Sequence, residues 1–524
     1  GVTVTLSGAG TASQVTDEGG RFRFRGLAAG RSGLVAWFDC FSPVEYPNVT
    51  IGIGKTTELA MTMNAAVTDV ITVTTESPLL DASRPSVQQN VTQTELEKIP
   101  TARDPWAILS STPNVLSDRI NVGGNESGQQ SQIVGGGAHS DQAVWSVDGV
   151  VITDMAALGS SPAYYDFDAF EEMQVTTGGS DASVATGGVV LNMVTKRGTN
   201  DFRGSARYIA GCGTDQSGET KGDQCFTNMQ GDLSIPASEF GRPGPWNRTS
   251  ATGAFPNGRA QSAFAQGNRI QSVEDYGLEL GGPILRDRFW FWGALAKNDI
   301  DLLTAAPLNV RDHTILDTQN VKLNAQLGSR NSITGSALQS DKVKIGRNAG
   351  PTRPQETTWN QSKFGADPTS WKLEDTHVFS SSLYLTGMYS IVNGGFQLAP
   401  QGGLDKLRYR DASNINRHSF LLYQTERPQE QIKLDGSTFL STGAVNHELK
   451  FGVGTRTAET NSLSRYGNAG ILIDKDLAGT SFDYVILMRD AVSNVETQYE
   501  SLYLQDTLSF GNLTANVGLN YGKQ

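Results

Sequence analysis

The sequence predicts a mainly β protein whose larger part, from about Asp201 onward, is an antiparallel transmembrane β-barrel wall. Two observations carry this. The first is period-two alternation. Leu278 and Leu280 alternate with Glu279 and Gly281, and Val321, Leu323, Ala325 and Leu327 alternate with Lys322, Asn324 and Gln326. Leu449, Phe451 and Val453 alternate with Glu448, Lys450 and Gly452, and Leu513, Ala515, Val517, Leu519 and Tyr521 alternate with Thr514, Asn516, Gly518 and Asn520. About ten residues of such alternation let a tilted strand show one face to lipid and the other to a polar lumen. The second is the order of connections. They run long after Ala210, short at 283–287, long after Asn298, short at 329–331, long after Ser340 and short at 380–382. The order continues long after Ile391, short at 441–446, long after Thr457 and short at 511–512. A soluble sandwich has no reason to keep that order, whereas a membrane barrel with tight turns on one side and large loops on the other does.

Upstream of the wall, residues 1–66 read as a small all-β unit. Val2, Val4 and Leu6 alternate with Thr3, Thr5 and Ser7, Asp17-Glu18-Gly19-Gly20 is a turn signal, and Phe22 and Phe24 alternate with Arg21, Arg23 and Arg25. The run from Thr16 to Phe24, followed by Gly26-Leu27 and Gly30, resembles the carboxypeptidase regulatory-like domain. That resemblance implies a β-sandwich without catalytic activity of its own, sometimes grouped with carbohydrate-binding folds. This copy departs from the pattern, lacking the first strand and carrying Arg31 where an aromatic residue usually follows the glycine.

Residues 67–199 change character. Thr92-Gln93-Thr94-Glu95 is a capping box, and Leu96 and Ile99, then Trp106, Ile108 and Leu109, suggest short helices interrupted by Pro100 and Pro105. Glycine-rich runs follow, and Val144 to Val151 reads as a hairpin turning at Asp148-Gly149. The stretch Phe170-Glu171-Glu172-Met173-Gln174-Val175, then Gly187-Gly188 and Asn192 through Lys196, Gly198 and Asn200, resembles the end of the plug domain of TonB-dependent outer-membrane transporters. The segment from Leu96 to Pro100 with Arg103, and Leu109 through Val115, match that plug's opening helix. The run from Gly281 to Phe291 resembles the barrel of the Oar-like subgroup, which carries the same N-terminal sandwich. The plug motif thus falls on Asp148, Gly149, Glu172, Gly187, Gly188, Asn192, Lys196 and Gly198.

The resemblance implies an α+β plug (67–199) inside a barrel (200–524) of which about half is present, since the family builds about 22 strands. It also implies active transport across the bacterial outer membrane, with the N-terminal domain and plug on the periplasmic side. Implied partners are the TonB energy-transducing protein, outer-membrane lipid and an extracellular substrate: a siderophore, glycan or peptide. No catalysis, metal or other cofactor is implied. Asp69, Val70, Ile71, Thr72, Val73 and Thr74 resemble the TonB box, an extended segment that adds to a partner's sheet edge through its backbone; an ordinary strand of the sandwich or plug is the alternative. At the level of function the alternatives are an adhesive or structural barrel, an export channel and a passive porin.

Composition bounds these readings. Across 524 residues the hydrophobic fraction is 38% with mean hydropathy −0.31. No run of about 18 apolar residues exists for a membrane helix, while a barrel keeps average hydropathy low by alternation. A net charge of −12 argues against nucleic acid as a partner. The run Phe289-Trp290-Phe291-Trp292 suits an interfacial aromatic girdle. Cys212 and Cys225 share the first long polar loop and can close a small ring in an oxidising compartment, or stand as two free thiols. Cys40, between Phe38 and Phe41, reads as a buried small hydrophobe. Gly54-Lys55-Thr56-Thr57 has Val49 where a phosphate loop needs glycine, and the alternating residues after it begin no helix. The five histidines show no metal-ligand spacing. No signal peptide opens the chain and roughly eleven strands are counted where bacterial barrels have even numbers, so a fragment cut at both ends is expected.

Overall fold

The computed structural model describes residues 1–8, 12–17, 19–27, 30–38, 41–52, 57–63, 71–72, 87–98, 103–117, 132–161, 163–211, 269–304, 308, 310–380, 382–411, 415–474, 484–511 and 513–524. Cys40, the 54–56 segment, the paired candidates Cys212 and Cys225, Ile99, and Asp69, Val70, Val73 and Thr74 lie outside the described residues.

The N-terminal unit is a five-stranded sheet in the spatial order Ala12–Val15, Thr3–Ser7, Gly30–Trp37, Val44–Ile51, Ile71–Thr72. Its inner face buries Val4, Leu6, Leu34, Ala36, Val44, Tyr46 and Val49. Phe22, Phe24 and Leu27 on one side, and Leu59, Met61 and Met63 on the other, cover that face. Neither covering segment forms a strand, so the alternation read there marks which side chains face the sheet, not a hydrogen-bonded ladder.

The second unit is built on a five-stranded mixed sheet in the order Val150–Val151, Val144–Val147, Val190–Thr195, Phe170–Gly178, Val87–Thr92. Two short helices pack on it. Gln93–Lys98 starts with the expected cap: the Thr92 backbone N–H donates to Glu95 Oε2 at 2.7 Å. Pro105–Ser110 has Asp104 as its N-cap, accepting from the Ala107 N–H at 2.8 Å, so Pro105 opens this helix instead of interrupting it. Trp106 meets Trp145 edge-on at 5.1 Å, and both are buried with Ile108, Leu109, Met173 and Leu191.

Among the described residues, the wall is a single antiparallel sheet of twelve strands. Trp359–Lys363 and Ser370–Val378 both lie between the same two neighbours, Asn331–Arg347 and Leu383–Pro400, so twelve strands fill eleven positions. Strands on one side are joined by tight turns at positive φ, as at Asp287 (62°), Gly328 (76°), Gly443 (65°) and Gly511 (56°). The outer face is apolar and exposed. Leu434 pairs with Val453 and Val453 with Leu502, placing three exposed side chains in a row across neighbouring strands.

Two expectations need correcting. Strands such as Leu421–Thr442 and Val445–Tyr466 run 22 residues, twice the alternating stretch read from sequence. Alternation marks only the part facing hydrocarbon; beyond it both faces are wet and the pattern lapses. The Phe289-Trp290-Phe291-Trp292 run is only half a girdle. Trp290 and Trp292 are buried on the inner side, with their indole N–H groups on Asn200 Oδ1 (2.8 Å) and Glu279 Oε2 (3.2 Å). A buried indole needs an acceptor, and the polar inner face supplies one.

Candidate functional site: the plug–wall interface

Each of the eleven wall positions touches the second unit, so the sheet curves around it. From the first strand to the last, the contacts include Arg207 on Asp166, Glu279 on Lys196, Trp292 on Ala169, Lys322 on Asp148 and Ser340 on Tyr164. They continue with Lys372 on the Asp148 carbonyl, Met388 and Val392 in the plug core, Gln431 on Val151, Lys450 on Asp181, and Gln505 and Asn520 on Ala182.

The Asp148-Gly149 turn is the most heavily held point. Both residues sit at positive φ (49° and 81°), the geometry of a two-residue hairpin turn whose flanks pair Val147 with Val150. Lys322 Nζ stands 2.9 Å from Asp148 Oδ1 and also donates to Thr195 Oγ1 at 2.8 Å. Lys372 Nζ donates to the Asp148 carbonyl at 2.7 Å, and Lys433 Nζ to the Gly149 carbonyl at 2.9 Å. Burial alone would raise the Asp148 carboxyl, but the Lys322 and Lys372 charges and the Thr195 hydroxyl outweigh it and hold it below the ordinary value. A small cavity beside this turn is lined by Asp148, Thr195, Trp292, Lys322, Trp371 and Lys372.

One wall strand reads the following plug segment at every second residue. Lys433 takes Gly149; Gln431 donates to the Val151 carbonyl at 2.7 Å and accepts from its N–H at 3.1 Å. Gln429 donates to the Thr153 carbonyl at 3.0 Å, and Arg427 pairs with Asp154 at 2.6 Å. Period-two side chains on the wall thus satisfy backbone groups that the plug's short edge strand leaves open. On the first two wall strands both polarities occur, with plug Arg103 on wall Asp275 (2.8 Å) and plug Lys196 on wall Glu279 (2.7 Å) beside wall Arg207 on plug Asp166.

The remaining motif residues have packing roles. Glu172 accepts from Asn90 Nδ2 across neighbouring strands, and Asn192 Oδ1 accepts from the Ser146 hydroxyl at 3.1 Å. At Gly188 a Cβ would stand 2.4 Å from the Gln142 carbonyl oxygen, and at Gly198 2.2 Å from that of Phe291. Gly187, next door, faces open space. Of the coupling-segment candidates, Ile71 and Thr72 pair in parallel with Val44 and Glu45 as the outer strand of the N-terminal sheet. The histidines are scattered, and no metal-holding cluster exists among the described residues.

Sequence reasoning missed a third contact surface. Arg23 lies 3.4 Å over the Phe439 ring and Arg25 4.7 Å, while Arg25 Nη1 donates to the Ser382 carbonyl at 3.2 Å. Phe439 and Ser382 border tight turns, so the N-terminal domain docks on the tight-turn rim. The available signal was the alternation of Arg21, Arg23 and Arg25 with Phe22 and Phe24, which by itself names no partner.

Comparison with known proteins agrees with this architecture. The carboxypeptidase regulatory-like domain family matches residues 1–64. The chain is 24% identical over 303 residues to the TonB-dependent transporter Oar of Myxococcus xanthus, a match covering 55% of this chain and 24% of that protein. Among solved structures, the outer membrane transporter YddB from Escherichia coli superposes with a TM-score of 0.56 at 12% identity, over 83% of this chain and 56% of that one. The ferric citrate transporter FecA in its unliganded form gives 0.53 at 15% identity, over 84% and 56%. The RagAB peptide importer gives 0.51 at 12% identity, over 83% and 55%. The chain therefore spans about a quarter of the curated relative and about half of each solved structure. It combines a carboxypeptidase regulatory-like domain with the plug-and-barrel fold of TonB-dependent outer-membrane receptors.

Proposed function

We propose that this chain belongs to a plug-gated active transporter of the bacterial outer membrane, coupled to TonB through the segment around residues 69–75. The observation that carries the reading is the wall's contact with one small domain at all eleven described positions, as a stopper held in a lumen would make. A passive porin has no use for a filled lumen. A buried interface dominated by ion pairs and side-chain-to-backbone hydrogen bonds suits a plug that moves, because water can take over each bond as it opens. The N-terminal domain touches the tight-turn rim, and in such barrels that rim faces the periplasm, where an energy-transducing partner would reach it. A solute would bind at the long-loop end and bias the coupling segment toward release into the periplasm. Among the named relatives, one is a ferric citrate transporter and another a peptide importer.

Deleting residues 69–75 tests the coupling. Expected is complete loss of solute uptake with the folded barrel retained, seen as unchanged heat-modifiable mobility. Normal accumulation in that deletion strain would overturn coupling through this segment, whereas a surface phenotype left intact by the deletion would favour the adhesive or structural alternative.

A further inference from the structure

We propose that the N-terminal sandwich is a latch on the plug: docked across the tight-turn mouth, it bridges plug and wall and must swing away before the plug can leave its seat. The wall contact lies inside the mouth. Phe439 shares the inward face of its strand with Lys433, which holds the Gly149 carbonyl, and sits about 20 Å nearer the tight turn. Thr376 stands likewise below Lys372, which holds the Asp148 carbonyl. Arg23 and Arg25 cover the Phe439 ring, Arg25 reaches the Ser382 carbonyl, and a Cβ on Gly26 would stand 3.1 Å from Thr376 Cγ2. The sandwich also grips the plug. Arg31 Nη2 donates to Thr94 Oγ1 at 3.1 Å, and a Cβ on Gly30 would stand 3.5 Å from Glu171 Oε1. One small domain therefore touches both sides of the plug–wall seam, below the Asp148-Gly149 turn and in its path toward the tight-turn side.

The wall contact is built to release. Two like charges share one ring, with Arg23 at 3.4 Å and Arg25 at 4.7 Å from its centre. Burial lowers the pKa of both guanidiniums. Glu448, cross-strand from Phe439, opposes that shift, as Glu58 does at Arg23, while Arg21 adds to the positive charge there. Among the described residues, Arg25 Nε and Nη2 are buried with no hydrogen-bond partner. Undocking hands those donors to water, which offsets the lost ring contacts. The plug turn has the opposite balance, since Lys322, Lys372 and Lys433 each donate to an acceptor on or beside it. The sandwich is thus the weaker of the two attachments, and it lies in the way of the stronger.

This rests on the plug being the part that moves, yet its test needs neither TonB nor a solute, so it can fail while coupling through 69–75 holds. Hydrogen exchange of the full-length protein in detergent micelles is read at plug residues 150–154. Arg23→Ala combined with Arg25→Ala is expected to speed exchange there about tenfold, the scale of two lost cation–π contacts, with wall strands and heat-modifiable mobility unchanged. Phe439→Ala, from the wall side, should match it, and the triple variant should add nothing further. Arg25→Cys with Ser382→Cys, in a background whose three native cysteines are serine, tests the latch directly. Exchange should be fast in the unbridged pair, return to the parental rate when a disulfide-containing bis-maleimide joins it, and speed up again on reduction. Parental exchange in the unlatched variants, an additive triple variant, or a bridged protein that stays fast would overturn the proposal.

Discussion

Lys322 Nζ sits 2.9 Å from Asp148 Oδ1, an ion pair joining residues on opposite sides of the plug–wall boundary, each side chain only 7% exposed. Removing one partner strands the other charge in a buried site. Asp148→Asn and Lys322→Met are each expected to destabilise plug seating by about 3–5 kcal/mol, the double variant by clearly less than the sum. Urea titration followed by tryptophan fluorescence measures this. Single variants that release the plug at the parental urea concentration would rule the pair out as a latch.

Gly187 and Gly188 are chemically identical neighbours with opposite surroundings. A Cβ at 188 would lie 2.4 Å from a backbone carbonyl oxygen, while one at 187 meets nothing within 4 Å. Gly188→Ala should cost more than about 2 kcal/mol and Gly187→Ala less than about 0.5. The same urea assay separates them, and equal effects would show that backbone approach is not what position 188 requires.

Acid should act on the plug in two directions. Burial raises Glu171 above its ordinary value despite Lys196, Arg197 and Arg31, so its protonation favours the folded plug as pH first drops. Asp148 and Asp181 are opposed by burial but held below their ordinary value of 3.8 by Lys322 with Lys372 and by Lys450, respectively. Their stabilisation is present above 3.8 and is lost as pH falls through the lowered folded values. Plug unfolding midpoints should therefore hold or rise slightly toward pH 4 and fall steeply below it. Asp148→Asn should flatten that lower limb; a limb of parental steepness would assign it to other carboxylates.

Val453 is 48% exposed between Leu434 and Leu502 on the apolar outer face. Val453→Arg should cost about 2–4 kcal/mol if the row lies at the bilayer midplane. Refolding yield into vesicles, read by heat-modifiable mobility, reports it. A variant that inserts as well as the parent would mean that this row faces water.

Much of this architecture was legible because it depends on local pattern. Leu278, Val321, Val453 and Leu519 alternate with polar neighbours since each strand has one lipid face, and Asp148-Gly149 announces its turn because few residues tolerate two positive φ values in succession. What pairs with what was not legible. Asp148 meets Lys322 and Lys372, Asp154 meets Arg427 and Asp181 meets Lys450, partners separated by over a hundred residues that only wall curvature brings together. Trp290 and Trp292 were misplaced because an aromatic run occupies both faces of a strand and so erases the alternation that would assign a side. Arg23 and Arg25 gave no hint of Phe439, since charge runs are ordinarily solvated.

Among the described residues, the parallel pairing of Ile71–Thr72 with Val44–Glu45 spans two residues, while the plug behind it is anchored at every stave. With a net hydrogen bond worth about 1 kcal/mol, the two pairs described there would yield under a smaller load than the many contacts that hold the stopper. Tension applied from below would peel the outer strand from the sandwich first and lengthen the tether before straining anything inside the lumen. The sandwich would then act as a fuse, separating a light tug from a committed pull.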